Sequence, residues 1–163
     1  MNVKHRPTSA CYSNADFTLI ATCSGYRSYA LDADHPQSLL PVDVGDEEVG
    51  QHILLALGRS RQIPIEDIET FLDPERAIRS DDEWVAGLMR RYGYRSQRAL
   101  FKAMKNCGIQ CSGDVVRFVP MRQVKLEEWQ STAAEGAGDV VVAGDSSPEE
   151  VGTAFRLALS RCS

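Results

Sequence analysis

Apolar residues recur along the chain with two different periods, and the places where one gives way to the other divide it into elements. Near the N-terminus Phe17, Leu19 and Ala21 alternate with Thr18, Ile20 and Thr22, the period of two that marks a strand. A short strand from Ser9 to Ser13 precedes it and another from Tyr26 to Leu31 follows. Asn14-Ala15 and Ser24-Gly25 supply the turns, which predicts an antiparallel meander. His35-Pro36 and Pro41 place the next stretch in a loop, because proline lacks the amide a helix needs.

The period then changes to that of a helix. Asp46-Glu47-Glu48 complement the positive end of a helix dipole, and Val49, Ile53, Ala56 and Leu57 form the apolar stripe of a helix reaching Arg61. A short helix from Pro64 is expected to bury Ile65, Ile68, Phe71 and Leu72 and to stop at Asp73-Pro74. Ser80 and Glu83 have the spacing of a capping box ahead of Trp84, Val85, Leu88, Met89 and Tyr92, with Gly93 as the stop. A second central helix is expected from Ser96 to Cys107, ending at Gly108. It would carry Leu100, Ala103, Met104 and Cys107 on one side and Arg95, Arg98, Lys102 and Lys105 on the other.

Beyond it, Ile109 to Cys111 and the alternating Val115 to Val119 read as a hairpin about Ser112-Gly113-Asp114. Lys125 to Trp129 would add one turn of helix, and Ser131 to Asp139 a flexible surface loop. Val140 to Val142 reads as a short buried strand. Ser147 caps the last helix, with Pro148 at its first position and Glu150 closing a capping box. Val151, Ala154, Phe155, Ala158 and Leu159 then form its stripe. The expectation is an α+β fold: one domain over residues 1–163, with an antiparallel or mixed sheet, an N-terminal β-meander and four or five flanking helices.

Composition adds bounds. With 163 residues, 43% of them hydrophobic, the chain is long enough for one real core. No apolar run approaches the roughly 20 residues of a membrane span. The basic N-terminal stretch has no apolar segment behind it, so no secretory signal is read and a cytoplasmic protein is expected. The five cysteines lack the CxxC spacing of a zinc or redox site and read as reduced, buried thiols.

Few residues suggest chemistry. Asp32, Asp34 and His35 resemble a hard-metal set by type, but the further acidic ligands of a calcium loop are missing, and a solvated turn is the better reading. The strand, loop and helix start from Val140 to Val151 lack the lysine and glycine spacing of a P-loop, and a plain capped helix is read there. No local signature pairs a cysteine with His52 as nucleophile and base. Neither cofactor nor metal is expected, and the chain is not read as an enzyme.

Charge layout says more. Residues 28–83 hold fourteen acidic and four basic side chains, and residues 84–126 hold nine basic and one acidic. The acidic half would steer a basic protein partner. Alternatively, Arg95, Arg98, Lys102 and Lys105 would follow a phosphate backbone, although no aromatic residues interleave them.

Four segments, in order, carry a family likeness: YSNADFTLIATCSGYRSYALDADHP, DEEVGQHILLALGRSR, YGYRSQRALFKAMKNC and SPEEVGTAFRLALSRC. In their combination the chain resembles the immunity proteins of bacterial contact-dependent growth inhibition, the CdiI family. The resemblance implies a non-enzymatic cytoplasmic antidote that binds the C-terminal toxin domain of its cognate CdiA and blocks the toxin active site. Such toxins are often nucleases, several of them acting on transfer RNA. A nuclease presents a basic groove, which makes Asp43, Asp46, Glu47, Glu48, Glu66 and Glu69 the expected toxin contacts. No membrane and no direct nucleic-acid partner are expected on this reading; a nucleic-acid-binding module using the basic stripe is the alternative.

Overall fold

The computed structural model describes residues 4–131 and 138–163. Its centre is β2 (Phe17–Gly25), whose nine residues are all buried. Burial along its whole length, polar Thr18, Thr22 and Ser24 included, means that both faces of this strand are covered. On one side β2 pairs with β1 (Thr8–Ser13), which pairs with β5 (Lys105–Ser112), and β5 with β6 (Val115–Lys125). On its other side β2 is shared by β3 (Tyr29–Leu31) and β4 (Ser38–Pro41). The far edge of β6 is likewise shared by β7 (Glu128–Ser131) and β8 (Val140–Ala143). Every pairing between these strands is antiparallel.

Helices cover both faces. The first packs under α1 (Asp46–Arg59) and α5 (Pro148–Ser160), where Cys11, Ile20, Ile53, Phe118 and Phe155 form one core. The second packs under α3 (Pro74–Tyr92) and α4 (Gln97–Phe101), where Phe17, Leu19, Leu88, Leu100 and Met104 form the other. Cross-strand partners explain the division: Cys11 lies opposite Ile20 on the first face, and Tyr12 opposite Leu19 on the second. The α+β class and the meander are as expected, and among the described residues there are five α-helices, the shortest being α2 (Ile68–Phe71).

The predicted hairpin stands, with Gly113 at φ +63° in its turn, as do the α5 capping box and the αL stop at Gly93. Ser147 accepts from the Glu150 amide while Glu150 accepts from the Ser147 amide at 3.3 Å. Ser147→Ala is therefore expected to cost about 1 kcal/mol, read as a lower urea midpoint at unchanged slope.

Other elements differ from the pattern. Asp73-Pro74 begins a helix instead of stopping one: Asp73 accepts from the Glu75 amide and Pro74 sits at the first position, so Ser80 and Glu83 lie inside α3. The short helical segment before it, a 3-10 turn at Ile65–Asp67 followed by α2, buries nothing fully, and Ile65 is 64% exposed.

The second central helix ends at Phe101. Ala103 turns to φ +55° and Lys105 enters β5, because Cys107 and Ile109 fill the first core across from Cys11 and Ser9. Gly108 is consequently a strand residue opposite Ala10 and Val119.

Ser38 to Pro41 is a strand, with the proline at its last residue. Lys125 to Trp129 is a turn into β7 and not helix. Strand β2 runs on to Gly25, past the expected turn, and Val141 in β8 is 45% exposed. Residues 132–137 of the loop expected from Ser131 to Asp139 lie outside the described residues. Among the described residues no helix is long and apolar enough to cross a membrane.

Candidate functional site

The first turns of α1 and α5 lie against each other at backbone distance. A Cβ on Gly50 would fall 1.8 Å from the Pro148 carbonyl oxygen, and one on Gly152 would fall 1.8 Å from that of Asp46. Only glycine permits this approach. It brings two helix N-termini together, and both are acidic: Asp46, Glu47 and Glu48 on α1, Glu149 and Glu150 on α5. The free amides of a first turn carry partial positive charge, so each acid there is favoured by roughly 0.3–1 kcal/mol.

Within this cluster the acids have different duties. Asp46 accepts from Thr153 Oγ1 at 3.1 Å and pairs with Arg156 at 3.4 Å, while the same guanidinium donates to the Val44 carbonyl. It staples the two helices. Glu150 is spent in the capping box. Asp43, Glu47, Glu48 and Glu149 are exposed and face solvent.

Glu66 and Glu69 are exposed too, but not beside them. The start of α1 follows Pro41, which sits opposite Phe17, whereas Ile63 donates to Gly25 at the other end of β2. At about 3.3 Å per residue those ends are roughly 26 Å apart. The six expected acids thus form two groups toward opposite ends of the sheet, with Asp46 already occupied. Glu149 was not among the expected contacts: the capping box located it in the first turn of α5, and only the approach of the two helices sets that turn against α1.

Asp32, read as part of a solvated turn, is buried at 3% exposure. Its carboxylate accepts from Ser24 Oγ at 2.7 Å and Arg61 Nε at 2.8 Å. Arg61 also pairs with Asp34 at 2.7 Å, and Asp34 with Arg76 at 3.1 Å. The network ties the loop after β3 to the ends of α1 and α3, and among the described residues no group of three metal-ligating side chains occurs.

Burial alone would raise the Asp32 pKa, but Arg61, Ser24 and the Asp34 amide outweigh it and hold the carboxyl at about 2. The stabilisation is complete above the unfolded value near 4 and is lost as pH falls toward 2. Wild type should therefore lose about 2 kcal/mol more than Asp32→Asn between pH 5 and pH 2, measured by urea titration.

Beside the network, two clefts of about 320 and 310 Å³ share Leu31, Ala33 and Ser80. Trp84 and Tyr12 line them, with Asp81 and Glu83 from α3 among their polar groups. This is an acidic, aromatic-lined surface. Burial pushes the Cys23 thiol up to about 12 and the Cys11 and Cys107 thiols well above their ordinary values. His52 Nδ1 lies 2.8 Å from Ser38 Oγ.

The expected basic stripe is not formed. Arg98 lies on α4, Lys102 just past its end, and Lys105 half-buried at the start of β5.

A model of the CDI immunity protein family, CdiI, matches residues 8–162. The immunity protein CdiI-YPIII of Yersinia pseudotuberculosis serotype O:3 (strain YPIII) is 42% identical over 161 residues, covering 91% of each chain. Among solved structures, a toxin and immunity complex, CdiA-CT/CdiI, from Yersinia pseudotuberculosis matches with TM-score 0.90 at 36% identity, covering 99% of this chain and 100% of that one. A protein of unknown function from Neisseria meningitidis matches with TM-score 0.92 at 35% identity, covering 100% of this chain and 99% of that one.

Proposed function

The chain belongs to the CdiI family of CDI immunity proteins, and from that membership we propose that it binds and neutralises the C-terminal toxin domain of its cognate CdiA. It does so without catalysis, in the cytoplasm, by covering the toxin active site. The toxin is a nuclease, in the narrower reading one that cuts transfer RNA, and its substrate groove is basic.

One observation carries the site assignment. Glu47, Glu48 and Glu149 stand exposed on the crossed N-termini of two helices that are themselves locked by backbone contact, with Asp43 exposed in the turn just ahead of α1. Such a surface presents fixed negative charge with little ordering cost, which favours fast and specific capture of a cationic groove. Glu66 and Glu69 provide a second acidic contact farther along. Asp46 holds the first in shape.

The test is co-expression with the toxin domain encoded beside this chain. Growth should be restored, and an equimolar complex should elute as one peak in size-exclusion chromatography. Transfer RNA cleavage by the purified toxin should cease at one equivalent of the immunity protein. Persistent toxicity despite soluble immunity protein would sink the assignment; rescue without any cleavage of RNA or DNA by the free toxin would remove the nuclease reading alone.

A further inference from the structure

A groove of about 560 Å³ opens where the end of α4 meets the turn between β6 and β7. Arg98, Lys102 and Ala103 form one wall, and Val124, Lys125 and Leu126 the other. The Gln123 side-chain amide donates to the Phe101 and Leu126 carbonyls at 2.8 Å each, so the walls are joined before anything binds. Ala103 holds φ +55°, a left-handed conformation that costs a residue with a Cβ and is kept only where its surroundings enforce it.

The charges in this groove are largely unanswered. The side chains of Arg98 and Lys102 make no hydrogen bond or ion pair among the described residues, while the Lys102 backbone amide donates to the Arg98 carbonyl. Lys125 meets Glu128 at 3.6 Å with its own side chain 79% exposed, so water or a ligand exchanges easily with that contact. Between the cations two aliphatic side chains stand open, Val124 at 37% and Leu126 at 40% exposure.

We infer that this groove is a docking site for an acidic stretch of polypeptide carrying an aliphatic side chain. Carboxylates would pair with Arg98, Lys102 and Lys125 while the aliphatic group covers Val124 and Leu126. The choice of polypeptide over nucleic acid rests on the lining, which has no aromatic ring on which a base would stack. The site lies in the basic part of the chain and uses none of the acids assigned to the toxin, so it stands or falls independently of that reading.

The probe is a fluorescein-labelled peptide of alternating Asp-Glu-Leu units, titrated by anisotropy in low-salt buffer. Saturable binding is expected, weakened about tenfold or more by Arg98→Glu with Lys102→Glu and several-fold by Leu126→Ser. A peptide with alanine replacing leucine should also bind several-fold more weakly. All three substituted residues are exposed, and circular dichroism of each variant confirms the fold. Absence of saturable binding overturns the inference, as does binding indifferent to the charge reversal. Equal affinity for the leucine and alanine peptides would reduce the effect to charge attraction and overturn it as well. Tighter binding of a single-stranded DNA oligonucleotide through Arg98 and Lys102 would give the groove to nucleic acid instead.

Discussion

Gly152→Ala is expected to be among the most damaging single methyl additions at the described residues, costing about 3 kcal/mol or more. The added Cβ would lie 1.8 Å from the Asp46 carbonyl oxygen and 2.5 Å from its carbon, and these are backbone atoms that cannot rotate away. Relief requires α5 to move off α1. That would pull apart the contact of Thr153 and Arg156 with Asp46 and loosen Phe155 and Ala158, both fully buried in the first core. Gly50→Ala should behave alike, because its Cβ meets the Pro148 carbonyl at the same distance. At roughly 2–4 °C per kcal/mol for a chain of this size, calorimetry should show a drop of about 6–12 °C. Gly58 and Gly87 have open space around the same position, so alanine there should be neutral or slightly stabilising. A Gly152→Ala protein as stable as wild type would mean that the two helices do not approach as closely as described.

Glu47→Lys, Glu48→Lys and Glu149→Lys combined should slow association with the cognate toxin domain by about 10- to 100-fold at low salt. Six units of charge change on one small surface, from three negative to three positive. The effect resides in the encounter rate, so it should shrink as salt shortens the screening length below the reach of the cluster. Because acids also favour a helix N-terminus, the Glu-to-Gln triple variant is the control: it loses the same dipole interaction but reverses no charge. Surface plasmon resonance on both variants across salt concentrations separates the cases. Rates equal to wild type for the lysine variant would remove the crossed N-termini from the toxin interface and leave Glu66, Glu69 and the cleft beside Trp84 as the places to examine. Asp46→Asn should act differently, through stability more than through rate, because its carboxylate is held by Thr153 and Arg156.

How much of this was legible beforehand depended on the range of the determining interaction. Helices α1 and α5, the hairpin turn at Gly113 and the stop at Gly93 are written in neighbouring residues: a cap, a proline at the first helical position, a glycine at positive φ, an unbroken stripe. Caps and stripes act over three or four residues, and in these elements they sufficed, whereas the spacing of Ser80 and Glu83 falls inside α3 and the stripe from Leu100 to Cys107 is divided between α4 and β5. Asp73-Pro74 shows the limit of such signals, since the same pair that closes one helix also suits the opening of the next, and only the tertiary packing of α3, whose Val85 and Leu88 are buried in the second core, decides between them.

By itself the sequence determined the fold class, the family likeness and the separation of acidic from basic residues along the chain, because composition and local period survive any arrangement in space. The tertiary structure alone decided where α4 gives way to β5, where Ser38 to Pro41 pairs, that Asp32 is buried against Arg61, and that the N-terminal parts of α1 and α5 meet. Each of those outcomes is set by partners distant along the chain, Cys11 for Cys107 or Gly50 for Pro148. Burial and backbone contact between distant residues outweigh the weak preference of any short segment for its own conformation.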